Sequence, residues 1–192
     1  MKRLLNKSIN IGSREAAVNR FDARRISTLA LLTCIGLIVS IIENMFPPPI
    51  PLAPGAKLGL GNVASLIALI VSGVPDAFIV AILKCVLVAL ISGNVSALMY
   101  SVPSATVALA IEIVLYKLLF GKMSVPMISL IGAMVFNAVQ LTVASLITRV
   151  NLITLLPWLM LAGLLAGAFT GFLAYAIILR LPYSVYGRKN KG

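Results

Sequence analysis

Six ionisable side chains interrupt stretches of the sequence that are otherwise strongly apolar. They are Glu43, Lys57, Asp76, Lys84, Glu112 and Arg149, and three amides, Asn62, Asn137 and Gln140, occur in the same stretches. Cations and amides grouped in an apolar setting can bind an anionic or strongly polar small molecule through charge-assisted hydrogen bonds. The sequence contains no histidine and no CxxC pair. Histidine-based catalysis and histidine-ligated metal sites are therefore excluded, and we expect no metal and no cofactor.

The composition assigns the chain to the integral membrane proteins. Of its 192 residues, 60% are hydrophobic and only 11% are charged, and the mean hydropathy is +1.07. Soluble domains have roughly a quarter of their residues charged. A membrane helix takes roughly 20 residues, so this length allows one domain with six or seven spans.

The apolar runs predict an all-α, polytopic bundle of six transmembrane helices, at about 26–46, 57–73, 75–92, 95–120, 126–148 and 152–181. Three parts follow from this pattern: a basic cytoplasmic segment over 1–25, a transmembrane domain over 26–181 and a short basic tail over 182–192. Polar groups inside these spans should face the bundle interior or water, because they are costly in lipid.

The basic residues predict that both chain ends are cytoplasmic. With this orientation, thirteen of the sixteen Lys and Arg residues lie inside, and only Lys57 and Arg149 lie outside, with Lys84 in mid-membrane. Such an excess on the cytoplasmic side is the usual pattern of membrane proteins. It also explains the basic N-terminal segment, so we expect the bilayer, and no nucleic acid, as a partner.

The first connection, FPPPIPLAPGAKLGLGN over 46–62, is predicted to be a stiff, gating loop. Prolines such as Pro47 and Pro54 cannot continue a helix, whereas Gly55 and Gly59 allow the backbone to turn. One interpretation makes this loop the roof of a small-molecule site. The other is a rigid hairpin between two helices, with Lys57 at the lipid headgroups.

The predicted depths divide the polar residues into two groups. The outer group is expected to bind substrate, and it comprises Glu43, Lys57, Asn62, Gln140 and Arg149, with Asn137 nearer the middle. In this hypothesis Lys57 and Arg149 bind ligand anions, the amides donate and accept hydrogen bonds, and Glu43 positions Lys57 in the empty site. The inner group, Asp76, Lys84 and Glu112, is expected to be a structural charge cluster that holds helices in register.

Small residues on two helices predict close packing. Gly163, Gly167 and Gly171 recur every four residues in the last span, and Ala30 and Cys34 form a shorter row in the first. Such rows let helix backbones approach each other in a membrane, either within the bundle or against a separate subunit. We favour internal packing and keep subunit docking as the alternative.

The segment PGAKLGLGN, over 54–62 of a six-span chain of this length, resembles the bacterial family labelled both "heptaprenyl diphosphate synthase component I" and "Gx transporter". More distantly, the layout looks like the S components of energy-coupling factor (ECF) transporters. The resemblance implies an outward pocket under the first loop, and docking on a membrane scaffold subunit driven by cytoplasmic ATPases. It also implies a bacterial cell membrane, with flavins, other vitamins or isoprenoid and quinone precursors as candidate substrates. The first helix lacks the AxxxA pair that S components use for docking.

No enzyme activity is expected, because a prenyl diphosphate synthase needs aspartate clusters to hold magnesium diphosphate. The only aspartates here are Asp22 and Asp76. The expected function is therefore that of an S-component-like subunit of an ECF-type importer, which captures a small polar or anionic, vitamin-like metabolite from the outer face. One alternative is a non-catalytic membrane accessory subunit of isoprenoid or quinone synthesis. The other is a solitary ion-coupled transporter that uses Asp76, Lys84 and Glu112 as a relay.

Overall fold

A computed structural model describes residue 23 and residues 25–46, 57–119 and 123–180 of the chain. Several of the sequence predictions fall outside these ranges. They are Pro47, Pro54 and Gly55 of the expected gating loop, residues 1–22 and 24 of the basic segment, and the basic tail over 182–192.

The described part of the chain is helical and contains no β-strand. Helix α1 spans Arg25–Asn44, α2 Val63–Val71, α3 Val74–Ile91, α4 Ser96–Leu118, α5 Val125–Thr148 and α6 Leu156–Arg180. Short 3-10 turns, Leu60–Asn62 and Ile153–Leu155, lead into α2 and α6. The predicted all-α, polytopic membrane class is confirmed.

Five of these helices are long and apolar enough to cross a membrane, namely α1, α3, α4, α5 and α6 with its preceding turn. The second predicted span, 57–73, contains only the shorter apolar helix Leu60–Val71. The prediction overestimated this helix because apolar residues continue on both sides of it, while the backbone of residues 57–59 is not helical. Hydropathy alone does not distinguish a membrane span from a short buried helix.

Helix α2 lies at the centre of the bundle. Every side chain from Val63 to Ile70 is buried, and it packs with residues of α3, α4 and α6 in one hydrophobic core. A helix that is apolar all round is typical of such a fully enclosed position. The start of α2, with its preceding 3-10 turn, is thereby held in place for the site described below.

The glycines of α6 form the seam between α6 and α5. A methyl group placed on Gly167 would lie 2.7 Å from Cα of Leu130, and one on Gly171 would lie 2.6 Å from Cα of Pro126. A methyl group on Gly163 would collide with the amide of Asn137. The predicted helix packing is thus found inside the chain, and this seam is not open for docking on another subunit.

On α1, the residues that pack closely are not the predicted Ala30 and Cys34, which are both exposed. Instead, Gly36 contacts Ala64 of α2, and Ser40 lies against Gly61. Because Gly36 and Ser40 are one turn apart, they present a single face to the 3-10 turn that precedes α2. Ala30 and Cys34 point away from this contact, and docking through them stays a prediction.

Candidate functional site

A small polar cavity lies where the end of α1, the start of α2, the second half of α3 and the start of α4 meet. Its volume is about 20 Å³, which is room for about one water molecule. Its lining residues are Ser40, Glu43, Lys57, Gly59, Asn62, Lys84, Cys85, Val88, Ala89, Ala97, Ser101 and Phe136. Three of the predicted substrate-binding residues, Glu43, Lys57 and Asn62, are therefore brought together.

The carboxylate of Glu43 caps the segment that leads into α2. Its Oε1 accepts a hydrogen bond from the backbone N–H of Gly59 at 2.8 Å, and its Oε2 accepts one from Leu60 at 3.1 Å. These are amides at the start of a helical turn, which have no partner within the helix and favour a negative charge. Glu43 thus orients the backbone of this segment. It makes no ion pair within 4 Å with the ammonium of Lys57 among the described residues, so positioning of Lys57 by Glu43 stays a prediction.

Lys84 of α3 lines the same cavity. Its Nζ donates a hydrogen bond of 2.6 Å to Oδ1 of Asn62, and its side chain is buried. Since the amide oxygen is used in this way, the amide nitrogen of Asn62 is left to face other partners. Lys84 therefore belongs to the cavity and not to a structural charge cluster at the inner end.

Lys57 enters the cavity from the non-helical residues just before α2. Its backbone N–H donates a hydrogen bond of 3.1 Å to Oε1 of Gln140 on α5. Its ammonium has no hydrogen bond or ion pair to any described residue, although the residue is only 9% exposed. Burial lowers the pKa of Lys57 from its ordinary value, against the opposing effect of Glu43. An anion bound beside this ammonium would stabilise its protonated form.

The other predicted substrate-binding residues do not line the cavity. Asn137 is buried between α5 and α6, where its Nδ2 donates a 3.3 Å hydrogen bond to the carbonyl oxygen of Leu159. Gln140 accepts the hydrogen bond from the backbone of Lys57. Its Nε2 and Oδ1 of Asn137 are buried without hydrogen-bond partners among the described residues. Arg149 is exposed at the end of α5, where its φ of 55° ends the helix.

Asp76, Lys84 and Glu112 of the expected cluster form no ion pair with one another in the described ranges. Asp76, at the start of α3, accepts hydrogen bonds from Nε of Arg25 at 3.0 and 3.1 Å and also pairs with its Nη2. Glu112 is buried against Gly132 of α5, and no ion pair within 4 Å links it to Lys84 in the described ranges. Asp76 and Lys84 both lie on α3, as predicted, but the carboxylate of Asp76 pairs with Arg25 at the start of α1.

The pair of Arg25 and Asp76 predicts a small effect on stability. Because 46% of the Arg25 side chain is exposed, solvent weakens the attraction, and Asp76→Asn should lower the free energy of unfolding by less than about 1 kcal/mol. Thermal unfolding of the variant in detergent measures this, with the exposed Lys117→Gln as control. A loss of several kcal/mol would instead mean that this pair holds α1 against α3.

The cavity is also lined by Lys84, Ser40, Ser101 and Cys85, which were not predicted to belong to it. Ser101, on α4, has a buried hydroxyl with no hydrogen-bond partner among the residues that the structure describes. The available signal was the position of Lys84 in the second half of α3, which sets it at the depth of Asn62. No group of three His, Cys, Asp or Glu residues that could hold a metal ion occurs within the described residues.

Together, the apolar helices and the polar cavity define a polytopic membrane protein with a small polar cavity inside its bundle. Residues 32–177, more than half of the chain, match the family model described as heptaprenyl diphosphate synthase component I. The chain belongs to this family, as the segment over 54–62 predicted. Comparisons with curated proteins and with solved structures gave no match.

Proposed function

We propose that this chain is the solute-binding membrane subunit of an importer of the ECF type, which captures a small polar or anionic metabolite from the outer face. The observation that carries the proposal is the polar cavity, which is lined by a lysine whose ammonium makes no hydrogen bond or ion pair with a described residue. Ionisable residues inside a membrane bundle are costly and are usually retained for function. The charge distribution in the sequence supports an outward-facing cavity, with both chain ends cytoplasmic.

The segment over Lys57–Gly59 is proposed to act as the gate of this site. The cavity, at about 20 Å³, is far smaller than the roughly 300–1,000 Å³ typical of ligand pockets. Capture of a vitamin-sized molecule therefore requires one wall to move. The segment is a suitable wall because it is not helical, and Gly59 has a φ of 86°, which is readily adopted by glycine.

Each cavity residue receives a role from its contacts. Lys57 binds the solute, and Gln140 holds the backbone of Lys57 by one hydrogen bond. Glu43 fixes the closed gate through Gly59 and Leu60. Arg149 is exposed outside this cavity, so a role for it in solute binding is limited to attracting anions to the outer face.

The energy for transport is proposed to come from partner subunits. The sequence has no Gly-rich phosphate loop ending in GK[ST], so a scaffold subunit with cytoplasmic ATPases would supply ATP hydrolysis, as the resemblance to S components suggests. The exposed face of α1 that carries Ala30 and Cys34 is the remaining small-residue surface for such docking. Enzyme activity is not part of this proposal.

A non-catalytic accessory subunit for prenyl diphosphate synthesis is the second candidate. It is favoured by the description of the family, which names a component of a synthase and so suggests a partner. A solitary ion-coupled transporter is less well supported. In its proposed relay, Asp76 is paired with Arg25, and Lys84 donates a hydrogen bond to Asn62.

The test is native mass spectrometry of the full chain, purified gently in detergent from its own membranes. We expect a retained small molecule, or a complex with scaffold and ATPase subunits. The variant Lys57→Ala should retain less of the small molecule, whereas Lys117→Ala, a change at an exposed position, should retain as much as the unmodified chain. A stoichiometric soluble prenyl synthase with no bound solute would overturn the importer proposal and support the accessory subunit.

A further inference from the structure

The charged and amide oxygens that line the cavity each already accept one hydrogen bond. Both oxygens of Glu43 accept backbone N–H groups, from Gly59 and Leu60. The side-chain oxygen of Asn62 accepts the ammonium of Lys84 at 2.6 Å. Lone pairs remain on these oxygens, but part of their capacity as acceptors is used within the protein.

The donors of the cavity, by contrast, are in excess. An ammonium carries three N–H donors, and that of Lys57 makes no hydrogen bond or ion pair with any residue in the described ranges. Lys84 uses one of its three donors on Asn62. The hydroxyl of Ser101 is buried and unpartnered. All of these groups line one cavity.

The balance of charge points the same way. Among the described residues that line the cavity, Glu43 is the one acidic side chain, against two lysines. Its carboxylate also accepts hydrogen bonds from two backbone amides. Hydrogen bonds from ammonium groups to carboxylate or phosphate oxygens are about twice as strong as neutral ones. An oxyanion is the ligand chemistry that matches free ammonium donors in a buried site.

We infer that Lys57 and Lys84 form a two-cation site for the oxyanion group of the solute, a carboxylate or a phosphate. This inference rests on the proposed solute-binding function and narrows its substrate class. It also moves the second cation from Arg149, which is exposed outside the cavity, to Lys84. Ser101 would donate a third hydrogen bond to the same group.

The size of the cavity limits which part of the solute enters. Room for about one water molecule accommodates the anionic end of a solute after a small movement of the walls. The remainder of a larger solute extends past residues 57–59. Because Lys57 belongs to that segment, its attraction to the bound anion would draw the gate toward the site.

The experiment compares formate with formamide, a neutral molecule of nearly the same size, as probes of the detergent-purified full chain. Thermal unfolding is followed at constant ionic strength over a range of probe concentrations. We expect formate, and not formamide, to raise the midpoint in a saturable manner. Inorganic phosphate forms a second arm, and a larger shift with phosphate than with formate would assign the site to a phosphorylated solute.

The variants Lys57→Gln and Lys84→Gln are each expected to weaken the apparent affinity for the anion by about tenfold or more, the loss of one charge-assisted contact. The matched control Lys117→Gln, which removes a cation at an exposed position outside the cavity, should leave the affinity unchanged. Lys57→Gln is the decisive variant, because its ammonium makes no hydrogen bond or ion pair with a described residue. Lys84→Arg tests the second cation without removing its charge.

Equal shifts with formamide, no shift with either anion, or full affinity in Lys57→Gln would overturn the two-cation site. These failures differ from failure of the proposed function. A neutral or cationic solute found by native mass spectrometry would preserve the importer and overturn the oxyanion assignment. If the chain binds formate saturably but co-purifies only with a prenyl synthase, the anion site stands and the importer proposal is overturned.

Discussion

Replacing Glu43 with Ala is expected to destabilise the protein more than any other single change in the cavity. The substitution removes the acceptor of two backbone N–H groups, those of Gly59 and Leu60, from a buried position. A hydrogen bond to a charged group contributes about 1.5–3 kcal/mol, and a buried donor without a partner costs a similar amount. We therefore expect the free energy of unfolding to fall by about 3 kcal/mol or more.

Unfolding of the variant in detergent by heat or denaturant measures this loss. The neighbouring Asn44→Ala is a matched control, because Asn44 is exposed and makes one hydrogen bond of 2.9 Å, to Ser92. Glu43→Gln should lie between the two, since an amide supplies one acceptor oxygen in place of two. If Glu43→Ala were as stable as Asn44→Ala, the capping role of the carboxylate would be wrong.

The second large effect is expected at the glycine seam between α5 and α6. In Gly167→Ala and Gly171→Ala, the new methyl groups would lie 2.7 and 2.6 Å from backbone atoms of α5. Backbone cannot move aside as a side chain does, so the helices must separate. Overpacking of this kind costs about 1–3 kcal/mol for each substitution, and the double variant should lose more than either single one.

Unfolding of these variants in detergent, by heat or denaturant, tests this seam. The control for added volume is Ala176→Val, at an exposed position of α6. The result also distinguishes a glycine row that docks on another subunit from one that packs helices within the chain. If the glycines served docking on another subunit, the variants would lose the partner and keep their stability. Loss of stability in the isolated chain identifies the row as an internal contact.

The helices could be predicted from the sequence because long apolar runs and membrane thickness leave few choices. The predicted third and fifth spans begin at 75 and 126, where the structure has Pro75 and Pro126 in the first turns of α3 and α5, a position that suits proline. The shortness of α2 could not be predicted, because its burial on all sides is a property of its neighbours. Hydropathy has the same value for a helix in protein as for one in lipid.

The candidate site could be predicted only in part. Glu43, Lys57 and Asn62 are close in sequence to one connection, so their depth in the membrane sufficed to bring them together. Lys84 was assigned to Asp76 by helical spacing, and the competition of Arg25 for that carboxylate depended on how α1 and α3 pack. Sequence spacing orders residues along one helix, while the choice between partners on different helices is made by tertiary structure.

The central helix has a consequence for how this protein enters the membrane. Leu60–Val71 has twelve residues and is about 18 Å long at 1.5 Å per residue, whereas the hydrocarbon layer is about 30 Å thick. Such a segment cannot leave the translocation machinery as an independent span. We expect it to be retained until α3 has been synthesised and to insert together with its neighbours, so that formation of the polar cavity is a late, concerted event.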